Sequence, residues 1–260
     1  MIENRLSCDF DELDYNVLHN RILKTTIANV MAVENLDSDL KEGLHEINRR
    51  LWEINEVTLS AQLFRRVQLH RNNYYYGFLL SVCELVFDTL LASEDRGNMR
   101  FRDFARDENK MAKLFESFVR NFYVLEQDRF RVQSLKIAWQ VESGTDQAIN
   151  YLPEMKTDVC LTSQARKIIL DCKFYRDALQ TNWQKRTLHS AHLYQLFAYL
   201  RNKESDDGWN DCEGILLYPT VGTPLNVTYK IQRHSMVVRT VNLNQDWRSI
   251  HKEMLEVISN

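Results

Sequence analysis

The sequence predicts an α/β protein, with a helical N-terminal region over residues 1–105 and, over 106–260, a mixed β-sheet flanked by helices. Three observations lead there. Up to about residue 125, apolar residues recur at the three-to-four spacing of helices. Beyond it, short runs rich in β-branched and aromatic residues alternate with polar turns. Seven glycines and three prolines in 260 residues are too few for an all-β sandwich, which needs many tight turns. Helices first, then strands interleaved with helices, describe a helical region fused to an α/β core.

The elements follow in order. Asn16 is placed to cap a helix carrying Val17, Ile22, Leu23, Ile27 and Val30, and Asp37 or Ser38 to start another with Leu40, Leu44, Ile47 and Leu51 on one face. A long helix spans about Tyr74 to Leu91. Glu84 and Asp88 interrupt its apolar run, so it reads as a buried helix and not a membrane span. Ser93 to Asp103, with Gly97 and alternating charges, reads as a loop. The helix from Glu108 to Leu125 carries Met111, Leu114, Phe115, Phe118, Val119 and Phe122 on one side. Extended runs are expected at Arg131–Val141, Thr157–Leu161 and Lys167–Tyr175. A helix follows over Ser190–Arg201, then strands at Gly214–Pro219, Val227–Gln232 and Met236–Leu243, and a last helix at Trp247–Ile258.

Charge and cysteine usage narrow the class. The net charge of −3 announces no nucleic-acid binder, but Gln164 to Lys203 holds eight Lys or Arg against Asp171 and Asp177. Such a local basic stretch is what phosphate contacts require, although helices are also basic for solubility alone. Five scattered cysteines without a CxxC pair argue against a zinc ribbon or a disulfide framework. With no signal peptide, the expected location is the cytoplasm.

The chemistry concentrates between Thr157 and Lys173. Two apolar runs flank a polar segment, the pattern of a β-hairpin. Alternation along a strand puts Asp171 and Lys173 on one side and Cys172 on the other. If Ser163–Arg166 is the turn, Thr162 pairs with Lys167 and the ladder brings Asp158 opposite Asp171. Two carboxylates that close repel unless a cation sits between them, and a hard ion such as Mg²⁺ accepts oxygen ligands of this kind. A neighbouring lysine can orient or deprotonate a water and stabilise charge on a phosphoryl oxygen. A lone D-x-K is far more often an ordinary ion pair on a strand.

Asp158…Asp171-Cys172-Lys173 resembles the PD-(D/E)xK nuclease motif, in the version found in RecB-like and McrC nucleases. Leu114-Phe115-Glu116 on the preceding helix matches the position of their metal-binding glutamate, and Gln195…Tyr199 matches the Q-x-x-x-Y of their following helix. Phe10 to Lys24 and Asp107 to Glu116 resemble the segments by which McrC proteins enter their helical and nuclease regions. The resemblance runs from about residue 3 onward and implies a restriction-endonuclease-like core. It also implies a Mg²⁺-dependent (or Mn²⁺-dependent) endonuclease subunit, cutting double-stranded DNA with an McrB-like AAA+ GTPase partner. Asp158, Asp171, Glu116 and the Cys172 carbonyl would hold the metal, and Lys173 would position or activate water. Gln195 and Tyr199 would steady the site or the DNA backbone, and Lys185 and Arg186 of the basic stretch are candidates for phosphate contacts.

Two departures stand out. Thr157 replaces the motif's usual proline, and a family region of about a hundred residues before Phe10 is expected to be lacking. No Walker-type loop is present, so nucleotide hydrolysis is expected of the partner. A stand-alone RecB-like nuclease and a non-catalytic scaffold that stimulates a partner NTPase remain open alternatives.

Overall fold

The computed structural model describes residues 15–33, 36–70, 73, 76–91, 108–174, 179–182, 185–220 and 224–259. Residues 10–14 of the entry segment, Cys8, Tyr74 and the expected loop Ser93–Asp103 lie outside the described residues. The chain divides into two compact units, Met1–Arg106 and Asp107–Asn260.

The first unit contains helices α1 (Leu18–Met31), α2 (Ser38–Arg50), α3 (Ala61–Arg65) and α4 (Tyr76–Leu91). Ile22, Leu80 and Cys83 form its buried centre, with Leu18, Leu23, Leu63, Phe64 and Tyr76 packed around them. Asp37 caps α2, accepting from the backbone N–H groups of Asp39 and Leu40. Asn16 does not cap α1. The N-cap is Val17, and the Asn16 side chain instead accepts from the Asn55 N–H at 2.8 Å, tying the helix entry to a distant turn. The apolar face expected of α2 exists but is left open: Leu40 is 52% and Ile47 48% exposed. Glu84 and Asp88 sit on the exposed side of α4. Among the described residues no helix is long and apolar enough to cross a membrane.

In the second unit, helix α5 (Glu108–Leu125) precedes strands β1 (Arg131–Gln133) and β2 (Lys136–Ile137), the turn-length α6 (Asp146–Ile149) and β3 (Met155–Lys156). Then come β4 (Val159–Thr162), β5 (Lys167–Cys172), β6 (Leu179–Asn182), β7 (Lys185–Leu188) and α7 (Ser190–Lys203). The chain ends with β8 (Glu213–Thr220), β9 (Asn226–Ile231), β10 (His234–Asn242) and α8 (Trp247–Val257). Six strands form one mixed sheet in the order β1-β4-β5-β8-β10-β9. β4 and β5 are an antiparallel hairpin, whereas β5 and β8 run parallel, the crossover passing through α7.

Both faces of the sheet are covered, which is why β5 reads as a continuous apolar run. On one face Val159, Leu161, Ile168, Leu170 and Cys172 pack with Phe115, Val119 and Phe122 of α5 and Met254 of α8. On the other, Cys160, Ile169 and Leu216 pack with Leu196, Tyr199 and Leu200 of α7. The four described cysteines are free and buried, and burial pushes the Cys160 and Cys212 thiols up to about 12.

Candidate functional site

The hairpin register determines the site. Ser163 and Arg166 close the turn, Ser163 N–H donating to the Arg166 carbonyl at 2.9 Å. Thr162 pairs with Lys167, and the ladder runs back to Val159 opposite Leu170. Asp158 therefore leaves the strand one residue before Val159, at the level of Asp171. Its Oδ2 accepts the Cys172 backbone N–H at 2.7 Å, which fixes the carboxylate against β5.

Asp171 follows the alternation of β5 and shares the α7 side with Ile169. It is fully buried. Lys173 Nζ lies 2.6 Å from Asp171 Oδ2, close enough to be an ion pair whatever its alignment. Among the described residues no hydrogen-bond donor reaches Asp171 Oδ1. Lys173 also donates to Gln195 Oε1 at 3.0 Å. Gln195 Nε2 donates to the Tyr199 hydroxyl at 2.7 Å, and that hydroxyl donates to the Lys156 carbonyl at 3.0 Å. One turn of α7 thus carries a hydrogen-bonded chain from the lysine to the backbone just before Asp158.

Glu116 faces the same region from α5. Arg120, one helical turn on, donates from Nη2 to Glu116 Oε1 at 2.5 Å. Its Nη2 and Nε also reach the Asp158 carbonyl at 2.7 and 3.2 Å. The sequence reading passes over Arg120; its signal was the i, i+4 spacing to Glu116. His192 was passed over as well. It meets the Tyr218 hydroxyl at 2.9 Å, and burial, with Lys173 and His189 nearby, lowers it to about 4, so its ring is neutral near pH 7. The backbones of Lys185 and Arg186 lie in the β6/β7 ribbon, and their side chains lie outside the description.

Electrostatics follow from this crowding. Burial, then the charges of Asp171 and Glu116, raise Asp158 from 3.8 to about 7. Burial also raises Asp171, against the pull of Lys173. Burial alone would lower Lys173, but the Asp171 charge and hydrogen bond outweigh it and hold the ammonium above its ordinary range. In this arrangement the pair with Asp171 favours the charged form of Lys173.

The donor set suits a hard cation. Two carboxylates at one strand end, one with a buried oxygen lacking a donor, supply oxygen ligands of the kind Mg²⁺ takes. Among the described residues no three His, Cys, Asp or Glu side chains stand together as a complete metal cage. A partial set is what Mg²⁺ ordinarily uses, since it keeps several waters and takes one or two carboxylates.

Thr157, which stands where the motif that the sequence resembles usually has proline, is almost fully buried. Its N–H donates to the Leu135 carbonyl at 2.9 Å, a bond that proline cannot make, and its Oγ1 accepts the Leu135 N–H at 2.9 Å.

Fold and site together define a mixed α/β protein with an Asp/Asp/Lys centre at the open end of its central hairpin. Residues 1–219 match the McrBC 5-methylcytosine restriction system component family. The chain is 33% identical over 248 residues to the type IV methyl-directed restriction enzyme EcoKMcrBC of Escherichia coli (strain K12), spanning 95% of this chain and 71% of that relative. The chain belongs to this family. A solved Thermococcus gammatolerans assembly of McrB AAA+ hexamers with bound McrC contains a chain similar to it, at a TM-score of 0.42 and 17% identity. That match covers 95% of this chain, which spans about half (54%) of the solved one.

Proposed function

We propose that the chain is the Mg²⁺-dependent DNA endonuclease subunit of a McrBC-like, modification-dependent restriction system, with a PD-(D/E)xK core. In this reading it cuts double-stranded DNA when driven by an AAA+ GTPase partner. The observation that carries the proposal is the convergence of Asp158, Asp171 and Lys173 at one end of a buried hairpin, with the Gln195/Tyr199 chain behind the lysine. Family membership supports the restriction system, and the name of the solved assembly supports the partner.

Asp158 and Asp171 would hold the metal, with Glu116 and the Cys172 carbonyl as further oxygen donors. When bound, Mg²⁺ supplies neutralisation of charge on a phosphoryl oxygen and a more acidic water. The remaining work falls to the chain. Burial keeps bulk water from screening the two carboxylates, so their charge acts at full strength on what enters the site. Lys173, held charged by Asp171, donates to the attacking water or to a non-bridging phosphate oxygen as negative charge develops there. Gln195 holds the ammonium at a fixed height, and Tyr199 anchors Gln195 to the Lys156 carbonyl. Such preorganisation matters in phosphodiester hydrolysis, where positioning and electrostatics contribute most of the acceleration.

The test is cleavage of methylated DNA in Mg²⁺ or Mn²⁺, with and without the neighbouring GTPase, comparing wild type with Asp171→Ala and Lys173→Ala. Cutting that needs the partner and both side chains supports the proposal. Equal cutting by the variants would sink the centre. Strong cutting by the chain alone would favour a stand-alone RecB-like nuclease. GTPase stimulation without any cutting would favour a non-catalytic scaffold.

A further inference from the structure

We propose that Arg120 is a positioning residue for this cleavage, holding the Glu116 carboxylate and the Asp158 end of β4 as one rigid unit. The inference rests on the nuclease reading above.

The geometry is specific. A single guanidinium grips Glu116 Oε1 through Nη2 at 2.5 Å and the Asp158 carbonyl through Nη2 and Nε at 2.7 and 3.2 Å. Asp158 is thereby held at two points: its carbonyl by α5, and its Oδ2 by the Cys172 N–H of β5 at 2.7 Å. The strand ends at Val159, so the ladder by itself does not fix Asp158. Arg120 supplies what the ladder lacks.

It also sets where Glu116 sits. Glu116 belongs to α5, which packs on the face of the sheet opposite α7. Its carboxylate therefore approaches from the far side of the strand that carries Asp158. A long glutamate there has several rotamers, and the i, i+4 pair with Arg120 selects one. The planar fork of arginine makes several directed bonds at once, which the point charge of lysine cannot. Misplacement of a reacting group by about 1 Å costs on the order of a hundredfold in rate, so loosening either carboxylate should appear in kcat.

The experiment uses the full chain with its GTPase partner on methylated DNA, comparing wild type, Arg120→Gln, Arg120→Lys, Glu116→Gln and the Arg120→Gln/Glu116→Gln double variant. Arg120→Gln is expected to lower kcat at saturating Mg²⁺ by about tenfold or more. KM for DNA should stay within about twofold, since the interaction removed is not uniform substrate binding. Because Arg120 holds both Glu116 and the Asp158 carbonyl, the double variant should fall below Glu116→Gln but by less than the product of the two single losses, and Arg120→Lys should recover part of the rate. Wild-type kcat in Arg120→Gln overturns the inference, as do losses that multiply fully in the double variant. Melting curves accompany each variant. If Arg120→Gln fails to fold, the double variant, which leaves no unpaired charge, takes its place: a kcat below that of Glu116→Gln supports the inference and an equal one overturns it. Asp171→Ala separates the two levels. If it cuts like wild type, the nuclease reading itself falls. If it is inactive while Arg120→Gln is unchanged, only the role of Arg120 falls.

Discussion

Asp158 sits in a conflict of charge that a bound cation would relieve. Its carboxyl is buried beside Asp171 and within reach of the charge on Glu116, which carries it from 3.8 to about 7. An acid whose pKa rises on folding binds its proton more tightly in the folded chain than in the unfolded one. Its contribution to metal-free stability is therefore fully present below about pH 3.8 and is lost as pH climbs through about 7. Asp158→Asn keeps an oxygen for the Cys172 N–H and removes the titration. Urea unfolding in EDTA should show the variant gaining on wild type between about pH 4 and 7, and a constant difference would refute the assignment. Since cation binding requires the deprotonated form, Mg²⁺ affinity should rise over the same window and level off above it. Asp171 is fully buried and paired with Lys173, and Asp171→Ala should lower cleavage by about 10²–10³-fold or more. Residual activity within about tenfold of wild type would remove it from the centre.

At the scale of elements, the joint from β3 to β4 and the α7 crossover hold the centre in shape. Thr157 ties the joint through both directions of bonding with Leu135. Thr157→Pro, which restores the motif's usual residue, would leave the Leu135 carbonyl and N–H without these partners. The expected cost is roughly 2–6 kcal/mol, at about 1–3 kcal/mol for each group left unpaired. Chemical denaturation checks it, and an unchanged midpoint would show the bonds to be dispensable. On α7, Tyr199→Phe removes the link from Gln195 to the Lys156 carbonyl. It should cost about 1 kcal/mol in stability and lower kcat more than KM, because the lysine loses its backing but DNA contacts remain. The α7 pair was legible as two residues four apart in a helix. The β9/β10 turn was not: Gln232 and Arg233 both have positive φ, a conformation usually marked by Asn-Gly. Without those residues the turn has no local signature, and the strand reading ran through Gln232.

For the whole molecule, binding linkage offers the broadest test. A ligand that binds only the folded state stabilises it by about 2.7 kcal/mol at a hundredfold excess over its Kd. If Mg²⁺ or Mn²⁺ occupies the centre, the melting transition of the 107–260 unit should move up by roughly 5–10 °C in saturating metal. The same addition should leave an Asp158→Asn/Asp171→Asn variant unmoved. A shift of equal size in both would place the metal elsewhere. The helical unit has its own buried centre around Ile22, Leu80 and Cys83, which gives no reason for its transition to follow the metal.

Periodicity and alternation were enough to read the fold class and the hairpin register. The change from three-to-four spacing to short β-branched runs separates the helical region from the sheet. The distance between Asp158 and Asp171, with a four-residue turn between them, puts both at one hairpin end, because register is a matter of counting. Contacts between elements distant in sequence could not be counted in this way. Arg120 reaching the Asp158 carbonyl spans 38 residues, and Asn16 turns from its helix to the Asn55 N–H. The apolar face of α2 was equally visible in sequence, yet it stays exposed. Those outcomes depend on which surfaces meet once the chain packs, and that is decided by tertiary geometry and not by local propensity.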